Sequence, residues 1–138
     1  MKVIRQTFLL LTLALGLTAI SSPWLLPKPL GLPEGINWIT KKELQDIENY
    51  ILIDSRSKEE YAEAHIPGAI LINEMDYNSG FNRLLDKWEP EAKLIVYCSS
   101  KSCGSSETIG FRLRSDLAIN NIYLLEGGWE AWLAYNPN

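Results

Sequence analysis

Residues 93–114 read KLIVYCSSKSCGSSETIGFRLR, and this stretch decides the fold. The run from Leu94 to Tyr97 is apolar and rich in β-favouring side chains, which predicts a strand buried on both faces. Cys98 ends that strand, a short polar turn follows, and a helical pattern begins near Ser105. Because ligands of open α/β sheets bind at the carboxyl ends of the strands, the sequence predicts a site around Cys98.

The cysteine at this strand end has two interpretations. The N–H groups of a turn and of a helix N-terminus favour an anion, and a thiolate is an anion, so Cys98 is a candidate nucleophile. A buried and unreactive cysteine fits the same position, since cysteine also packs as a small apolar side chain. The residues of this stretch leave both interpretations open.

The composition is that of a globular protein with one domain. The chain has 138 residues, of which 46% are apolar and 22% are charged, and this excludes a disordered chain and a polytopic membrane protein. Its formal net charge is −4, and it has no basic cluster or aromatic platform. Nucleic acid is therefore not an expected partner.

Residues 1–22 predict a signal peptide or an N-terminal membrane anchor. Lys2 and Arg5 precede an apolar run over residues 8–20, and Ser-Ser-Pro ends that run. Counting the next few apolar residues as well gives about the 20 residues that span a bilayer, so retained anchorage stays open beside cleavage. In both cases the rest of the chain is expected in the periplasm or another extracytoplasmic space. Contact with a membrane is expected only through this segment.

Residues 23–35 predict a proline-rich linker, and residues 36–138 predict the folded domain. In that domain short apolar runs alternate with helical patterns, which is typical of an α/β fold with right-handed crossovers. We therefore expect three layers, with a mostly parallel central sheet flanked by helices. The predicted strands cover residues 36–39, 50–53, 70–72, 94–97 and 122–125.

Local signals predict where several helices begin and which side they bury. Thr40 with Glu43, and Ser57 with Glu60, have the spacing of capping boxes, so a helix is expected after each pair. Four apolar residues further along have helical spacing, which predicts a helix face turned to the core. These residues are Phe81, Leu84, Leu85 and Trp88.

Three motifs, in this order along the chain, resemble the rhodanese-like domain family. The first consists of Ile-Asp-Ser-Arg at 53–56, Glu-Glu-Tyr at 59–61 and His-Ile-Pro-Gly-Ala at 65–69. The second is Val-Tyr-Cys at 96–98, and the third is Leu-Glu-Gly-Gly-Trp at 125–129. Together they span essentially the whole folded part. The resemblance implies the three-layer rhodanese-like fold.

The resemblance also implies a sulfurtransferase that needs no cofactor. Cys98 would attack a small sulfur donor, such as thiosulfate or a persulfide, hold the sulfur as a persulfide, and pass it to a thiol or cyanide. Backbone N–H groups and hydroxyls of the loop would bind the substrate, and Lys101 is the candidate for a substrate oxyanion. The loop residues are Ser99, Ser100, Lys101, Ser102, Cys103 and Gly104. No metal is expected, because one histidine and two cysteines do not make a convincing site.

The chain departs from the family pattern at Cys103. Many active members carry a basic residue five positions after the cysteine, and this chain has a second cysteine there. Cys103 is therefore a candidate disulfide partner of Cys98, or a residue that resolves a persulfide or sulfenate on it. Two alternative functions follow, a thiol–disulfide or redox module using both cysteines, and a catalytically inactive domain that binds a partner. A related phosphatase is disfavoured, since Gly104 stands where the phosphatases place an arginine.

Three further residues are candidates for the pocket wall. Asp54 and Arg56 follow the second predicted strand, and Glu126 follows the last one. A structural ion pair is the alternative for Asp54 and Arg56, and a cap of the terminal helix is the alternative for Glu126. His65, the single histidine, lies in a turn of the family motif, so we interpret it as structural.

Overall fold

The computed structural model describes residue 32, residues 34–100 and residues 104–135. The predicted export segment at 1–22 lies outside these residues, and so does most of the predicted linker. In the described ranges no helix is both long enough and apolar enough to cross a membrane.

A five-stranded sheet, parallel throughout, forms the centre of the domain. The strands are β1 (Ile36–Ile39), β2 (Tyr50–Asp54), β3 (Ile70–Leu71), β4 (Lys93–Tyr97) and β5 (Ile122–Leu125). Their order across the sheet is β1-β5-β4-β2-β3, so the strand that leads to Cys98 lies in the middle. This parallel sheet, flanked by helices, confirms the predicted α/β fold class.

Two of the strands end one residue away from the predicted position. β2 runs on to Asp54, which pairs with Tyr97 of β4. β3 ends at Leu71, although the backbone N–H of Ile72 still donates to the Asp54 carbonyl oxygen at 2.9 Å. Neither difference changes which residues lie at the carboxyl edge of the sheet.

Helices accompany the strands along the described part of the chain. They are α1 (Lys41–Leu44), α2 (Lys58–Glu63), α3 (Tyr77–Leu85), α4 (Ser105–Leu117) and α5 (Gly128–Tyr135). Both predicted capping boxes are present. The side chain of Thr40 accepts a hydrogen bond from the backbone N–H of Glu43, and that of Ser57 accepts one from Glu60. Local sequence therefore sets the first residue of α1 and of α2.

Apolar cores lie on both faces of the sheet, which confirms the three layers. Side chains of β4 alternate between them. Leu94 and Val96 join the core that α3 and α4 cover, whereas Ile95 and Tyr97 join the core that α1 and α5 cover. All four of these side chains are fully buried, as the apolar run of the sequence predicts.

The predicted helix face on α3 is wrong at one residue. Leu84 is fully buried, and Phe81 and Trp88 pack against the same core, but Leu85 is 45% exposed. Adjacent helical positions differ by about 100° in direction, so a narrow contact with the sheet buries Leu84 and leaves its neighbour in solvent. Trp88 also lies beyond the end of the helix, in the turn that leads to β4.

Candidate active site

The carboxyl ends of β2 and β4 bring two parts of the sequence together. Asp54 and Tyr97 are register partners at the ends of these neighbouring parallel strands. The residues that follow each strand therefore meet at the same edge of the sheet, which is the edge where ligands bind in open α/β folds. Cys98 is the first residue after β4.

Cys98 is buried, and its thiol contacts the first residues that follow it. The residue is 2% exposed, and its thiol donates a hydrogen bond to the carbonyl oxygen of Ser100 at 3.4 Å. Ser99 and Ser100 are half-buried, whereas Gly104, just before α4, is exposed. The backbone therefore turns back toward the sulfur within two residues.

Three of the predicted loop residues lie outside the described residues. They are Lys101, Ser102 and Cys103. The predicted contact of Lys101 with a substrate oxyanion stays a prediction, and so does a disulfide or resolving role for Cys103.

The N-terminus of α5 holds the backbone around Cys98. The N–H of Trp129 donates to the Cys98 carbonyl oxygen at 2.8 Å, and the N–H of Glu130 donates to the Ser99 carbonyl oxygen at 3.1 Å. These are N–H groups of the first helical turn, which have no partner inside their own helix. They are used here to bind protein carbonyls, so the two peptide units after β4 have a fixed orientation.

Gly128 allows this close approach. Its φ is +51°, in the left-handed region, and a Cβ there would collide with the carbonyl group of Cys98. Only glycine meets both conditions without strain. The Gly-Gly pair of the third motif therefore has a direct structural connection to the candidate nucleophile.

Asp54 and Arg56 form an ion pair inside the domain. Arg56 Nη2 lies 2.7 Å from Asp54 Oδ2, and the two side chains are 4% and 0% exposed. Arg56 Nη2 also donates to the carbonyl oxygen of Ala64 at 2.6 Å. Burial disfavours the charge of Arg56, but the hydrogen bond and the charge of Asp54 outweigh it and raise the pKa of Arg56. Both side chains have partners in the interior, which favours the ion-pair interpretation over the pocket wall.

Tyr97 extends this network to the residue before the cysteine. Its hydroxyl donates to Asp54 Oδ2 at 2.7 Å and accepts from the backbone N–H of Ile66 at 3.1 Å. Burial, followed by the hydrogen bond to Asp54, raises the pKa of Tyr97 above its usual range. The phenol is therefore a neutral donor, and it fixes the end of β4.

Ser55 connects the site to α4, and sequence reasoning missed it. Its hydroxyl donates to the Tyr97 carbonyl oxygen at 2.9 Å and lies 3.0 Å from the hydroxyl of Ser105, the first residue of α4. The first residue of α4 therefore lies against the end of β2. The sequence feature that could have identified Ser55 is its position in the first motif, directly after Asp54.

Glu60 is the second residue that sequence reasoning missed. Its places in the first motif and in the capping box of α2 do not reveal that its Oε1 accepts a hydrogen bond from the hydroxyl of Ser99 at 2.8 Å. That bond, together with the backbone N–H of Ser57, lowers the pKa of Glu60. A carboxylate of α2 therefore contacts the residue that follows Cys98.

The sequence and the fold both match known proteins. The model of the family described as rhodanese-like domain matches residues 40–135, well over half of the chain. The chain belongs to the rhodanese-like domain family. The match confirms the resemblance seen in the three motifs. It also supports sulfurtransferase chemistry at the level of the family.

Solved structures share this rhodanese-like fold. A Bacillus halodurans protein has a TM-score of 0.60 and 26% identity over 72% of this chain and 73% of its own. The rhodanese-like domain of an Anabaena protein has a TM-score of 0.57 and 21% identity over 72% and 74%. A thiosulfate sulfurtransferase from Pseudomonas aeruginosa has a TM-score of 0.56 and 21% identity, covering 72% of this chain and 18% of that one. A comparison with curated proteins gives no match.

The remaining candidates have partners or positions that bear on their roles in this rhodanese-like domain. His65 Nδ1 lies 2.8 Å from the carbonyl oxygen of Tyr61, and the two rings stack with centroids 3.9 Å apart, in agreement with a structural role. Glu126 is exposed at the end of β5, and its backbone N–H donates to the Ile39 carbonyl oxygen at 2.9 Å. Its predicted influence on the pocket stays a prediction.

The described residues have a cavity away from Cys98, and they have no cluster of metal-binding side chains. Among the described residues, no group of three or more His, Cys, Asp or Glu side chains is placed to hold a metal ion. A cavity of about 530 Å³ lies along β3 between α2 and α3. Its described lining, which includes Tyr61, Leu71 and Arg83, contains none of residues 98–100.

Proposed function

We propose that this rhodanese-like domain is a sulfurtransferase that carries sulfane sulfur as a persulfide on Cys98. The position of Cys98 carries the proposal. The residue directly follows the central strand, and α5 holds its carbonyl group. A nucleophile held in a fixed orientation loses little freedom when it reacts, which favours attack on a bound donor.

The reaction has two displacement steps. The Cys98 thiolate attacks the outer sulfur of the donor, the donor S–S bond breaks, and sulfite leaves if the donor is thiosulfate, or a thiolate if it is a persulfide. An acceptor thiolate or cyanide then attacks the outer sulfur of the Cys98 persulfide. The Cys98 thiolate is restored, and the acceptor leaves as a persulfide or as thiocyanate. No other oxidant or reductant is needed.

We also propose that the domain works outside the cytoplasm. The charged start and apolar run of residues 1–22 support export, with or without retention of the segment as an anchor. A reporter that is active only in oxidising compartments, fused after residue 138, tests this. Reporter activity that persists when residues 1–22 are deleted would contradict export through this segment.

A transfer assay tests the sulfurtransferase proposal. Purified protein is supplied with thiosulfate or a small-molecule persulfide, and cyanide is the acceptor. Thiocyanate formation that is lost in Cys98→Ser supports the proposal. A wild-type protein that forms no thiocyanate from either donor, before or after reduction, favours the inactive binding domain.

The second cysteine supports a second candidate function, that of a thiol–disulfide module. Cys103 lies five positions after Cys98, and cysteine pairs form disulfides in an oxidising compartment. Cys103→Ser separates the two functions. Sulfur transfer should survive or rise in this variant, whereas dithiol chemistry should disappear. A wild type that transfers no sulfur but has a dithiol activity, lost in Cys103→Ser, would favour the dithiol module.

A further inference from the structure

Glu60 holds two separate segments with its two carboxylate oxygens. Its Oε2 accepts a hydrogen bond from the backbone N–H of Ser57 at 3.2 Å, which is the capping box of α2. Its Oε1 accepts from the hydroxyl of Ser99 at 2.8 Å. The second bond is not required for a capping box, and it joins α2 to the first residue after Cys98.

Ser99 is held from a second direction by α5. The N–H of Glu130 donates to its carbonyl oxygen at 3.1 Å, and the N–H of Trp129 donates to the preceding carbonyl oxygen, that of Cys98, at 2.8 Å. Backbone groups of α5 and one side chain of α2 thus fix the same short segment. Because the acceptor is a carboxylate, the Glu60 bond is of the stronger, charge-assisted kind.

The other capping box of the chain provides a direct comparison. Glu43 of α1 has the same spacing and the same two bonds to its N-cap residue, Thr40. Its carboxylate also accepts from the Thr40 hydroxyl, at 2.7 Å, and its partner residue is therefore the cap itself. Glu60 instead directs one oxygen to Ser99. The two helices begin alike, and they differ in this contact.

We propose that Glu60 is a positioning residue for the reaction of Cys98, acting through its hydrogen bond to Ser99. The bond fixes the peptide unit that follows the cysteine, and with it the direction of the sulfur toward an incoming donor. The effect on turnover rests on the proposed sulfurtransferase function. The effect on the thiol itself does not, because any reagent that attacks Cys98 reports it.

The charge of Glu60 should affect the ionisation of the Cys98 thiol, an effect that a simple helix cap would not have. A carboxylate near a thiol opposes formation of the thiolate. The charged group that acts on Glu60 is Arg56, whose own charge is paired with Asp54. Ser57 and Ser99 act on Glu60 through hydrogen bonds. Glu60→Gln keeps the shape and removes the charge, whereas Ser99→Ala keeps the charge and removes the bond.

The experiment measures two properties of the same variants of the full chain. The first is the rate of Cys98 alkylation by iodoacetamide between pH 5 and 10, followed at the peptide that contains Cys98. The second is the rate of sulfur uptake from a persulfide donor. The variants are Ser99→Ala and Glu60→Gln, with Glu43→Gln as the matched control at the other capping box. Thermal unfolding confirms that each variant is folded.

We expect Ser99→Ala to slow sulfur uptake roughly tenfold, as for loss of one charge-assisted hydrogen bond. Its alkylation profile should not move to lower pH. Glu60→Gln should shift the alkylation profile to lower pH, and Glu43→Gln should match wild type in both measurements. Wild-type behaviour of both Ser99→Ala and Glu60→Gln would overturn the proposal and leave Glu60 as a helix cap. If the wild type takes up no sulfur, the proposed function fails, and the alkylation profiles alone decide the role of Glu60.

Discussion

At the scale of single residues, the close approach of Gly128 to Cys98 makes the sharpest stability prediction. Gly128→Ala combines a left-handed φ with a collision against the Cys98 carbonyl group, so we expect a loss of at least about 3 kcal/mol. Chemical denaturation measures this loss. Sulfur uptake should fall as well, because the backbone of Cys98 must move to make room.

Gly68→Ala is the matched control for this substitution. Its φ is +83°, but a Cβ there meets nothing within 4 Å, so only the conformational strain of about 1–2 kcal/mol applies. Equal losses in the two variants would contradict the view that contact with Cys98 makes Gly128 necessary.

The hydroxyl of Tyr97 leads to a second prediction at this scale. Tyr97→Phe leaves a buried oxygen of Asp54 and the N–H of Ile66 each short of one partner, so we expect a loss of about 1–3 kcal/mol in the free energy of unfolding. In Tyr123→Phe the loss should stay below about 0.5 kcal/mol, because the described structure gives that hydroxyl no hydrogen bond. A similar small loss in both variants would argue against a tight network beneath Cys98.

The residues that sequence reasoning missed share one property. Both Ser55 and Glu60 belong to the first motif, and Glu60 was also predicted, correctly, as a capping residue. Their second partners, Ser105 and Ser99, lie 50 and 39 positions away along the chain. Such contacts depend on how strands and helices pack together, so the spacing of neighbouring residues in the sequence cannot predict them.

At the scale of elements, the junction of α2 with the Cys98 loop makes stability depend on pH. The Ser99 bond lowers the pKa of Glu60, so the bond stabilises the fold fully above the unfolded glutamate value of about 4.3. This contribution is lost as the pH falls through the lower folded value. We therefore expect wild type to exceed Ser99→Ala in stability at pH 7 and the difference to shrink in acid.

Denaturant unfolding of both proteins between pH 7 and pH 3 checks this expectation. We expect a small difference at every pH, because the Glu60 side chain is only partly buried and solvent screens its charge. A difference that stays constant down to pH 3 would show that the two residues are not linked through an ionised carboxylate.

The elements themselves were largely predictable. Short apolar runs gave the five strands to within a residue, and two capping boxes gave the starts of α1 and α2, because these signals depend on neighbours in the sequence. Leu85 was placed wrongly, since an apolar residue at helical spacing does not reveal how wide the contact of the helix with the sheet is. The 45% exposure of Leu85 reflects a narrow contact.

At the scale of the whole molecule, the order of strands is what places the site. Parallel strands with β4 in the centre bring the ends of β2, β4 and β5 to one edge. The alternation of strands and helices predicted a parallel sheet, but the apolar runs are alike and do not specify which strands are neighbours. Cys98 could be predicted from its place after a buried strand. The hydrogen bonds around it could not, because their partners become neighbours only in the folded domain.

The central claim is that Cys98 carries sulfur, and the mass of the intact protein tests it most directly. The purified protein is reduced, incubated with a persulfide donor or with thiosulfate, and weighed beside Cys98→Ser and Cys103→Ser. We predict a gain of one sulfur atom in wild type and in Cys103→Ser, absent from Cys98→Ser, and removed when a thiol acceptor is added. A wild-type protein that only becomes lighter by two hydrogens and never gains sulfur would contradict the claim.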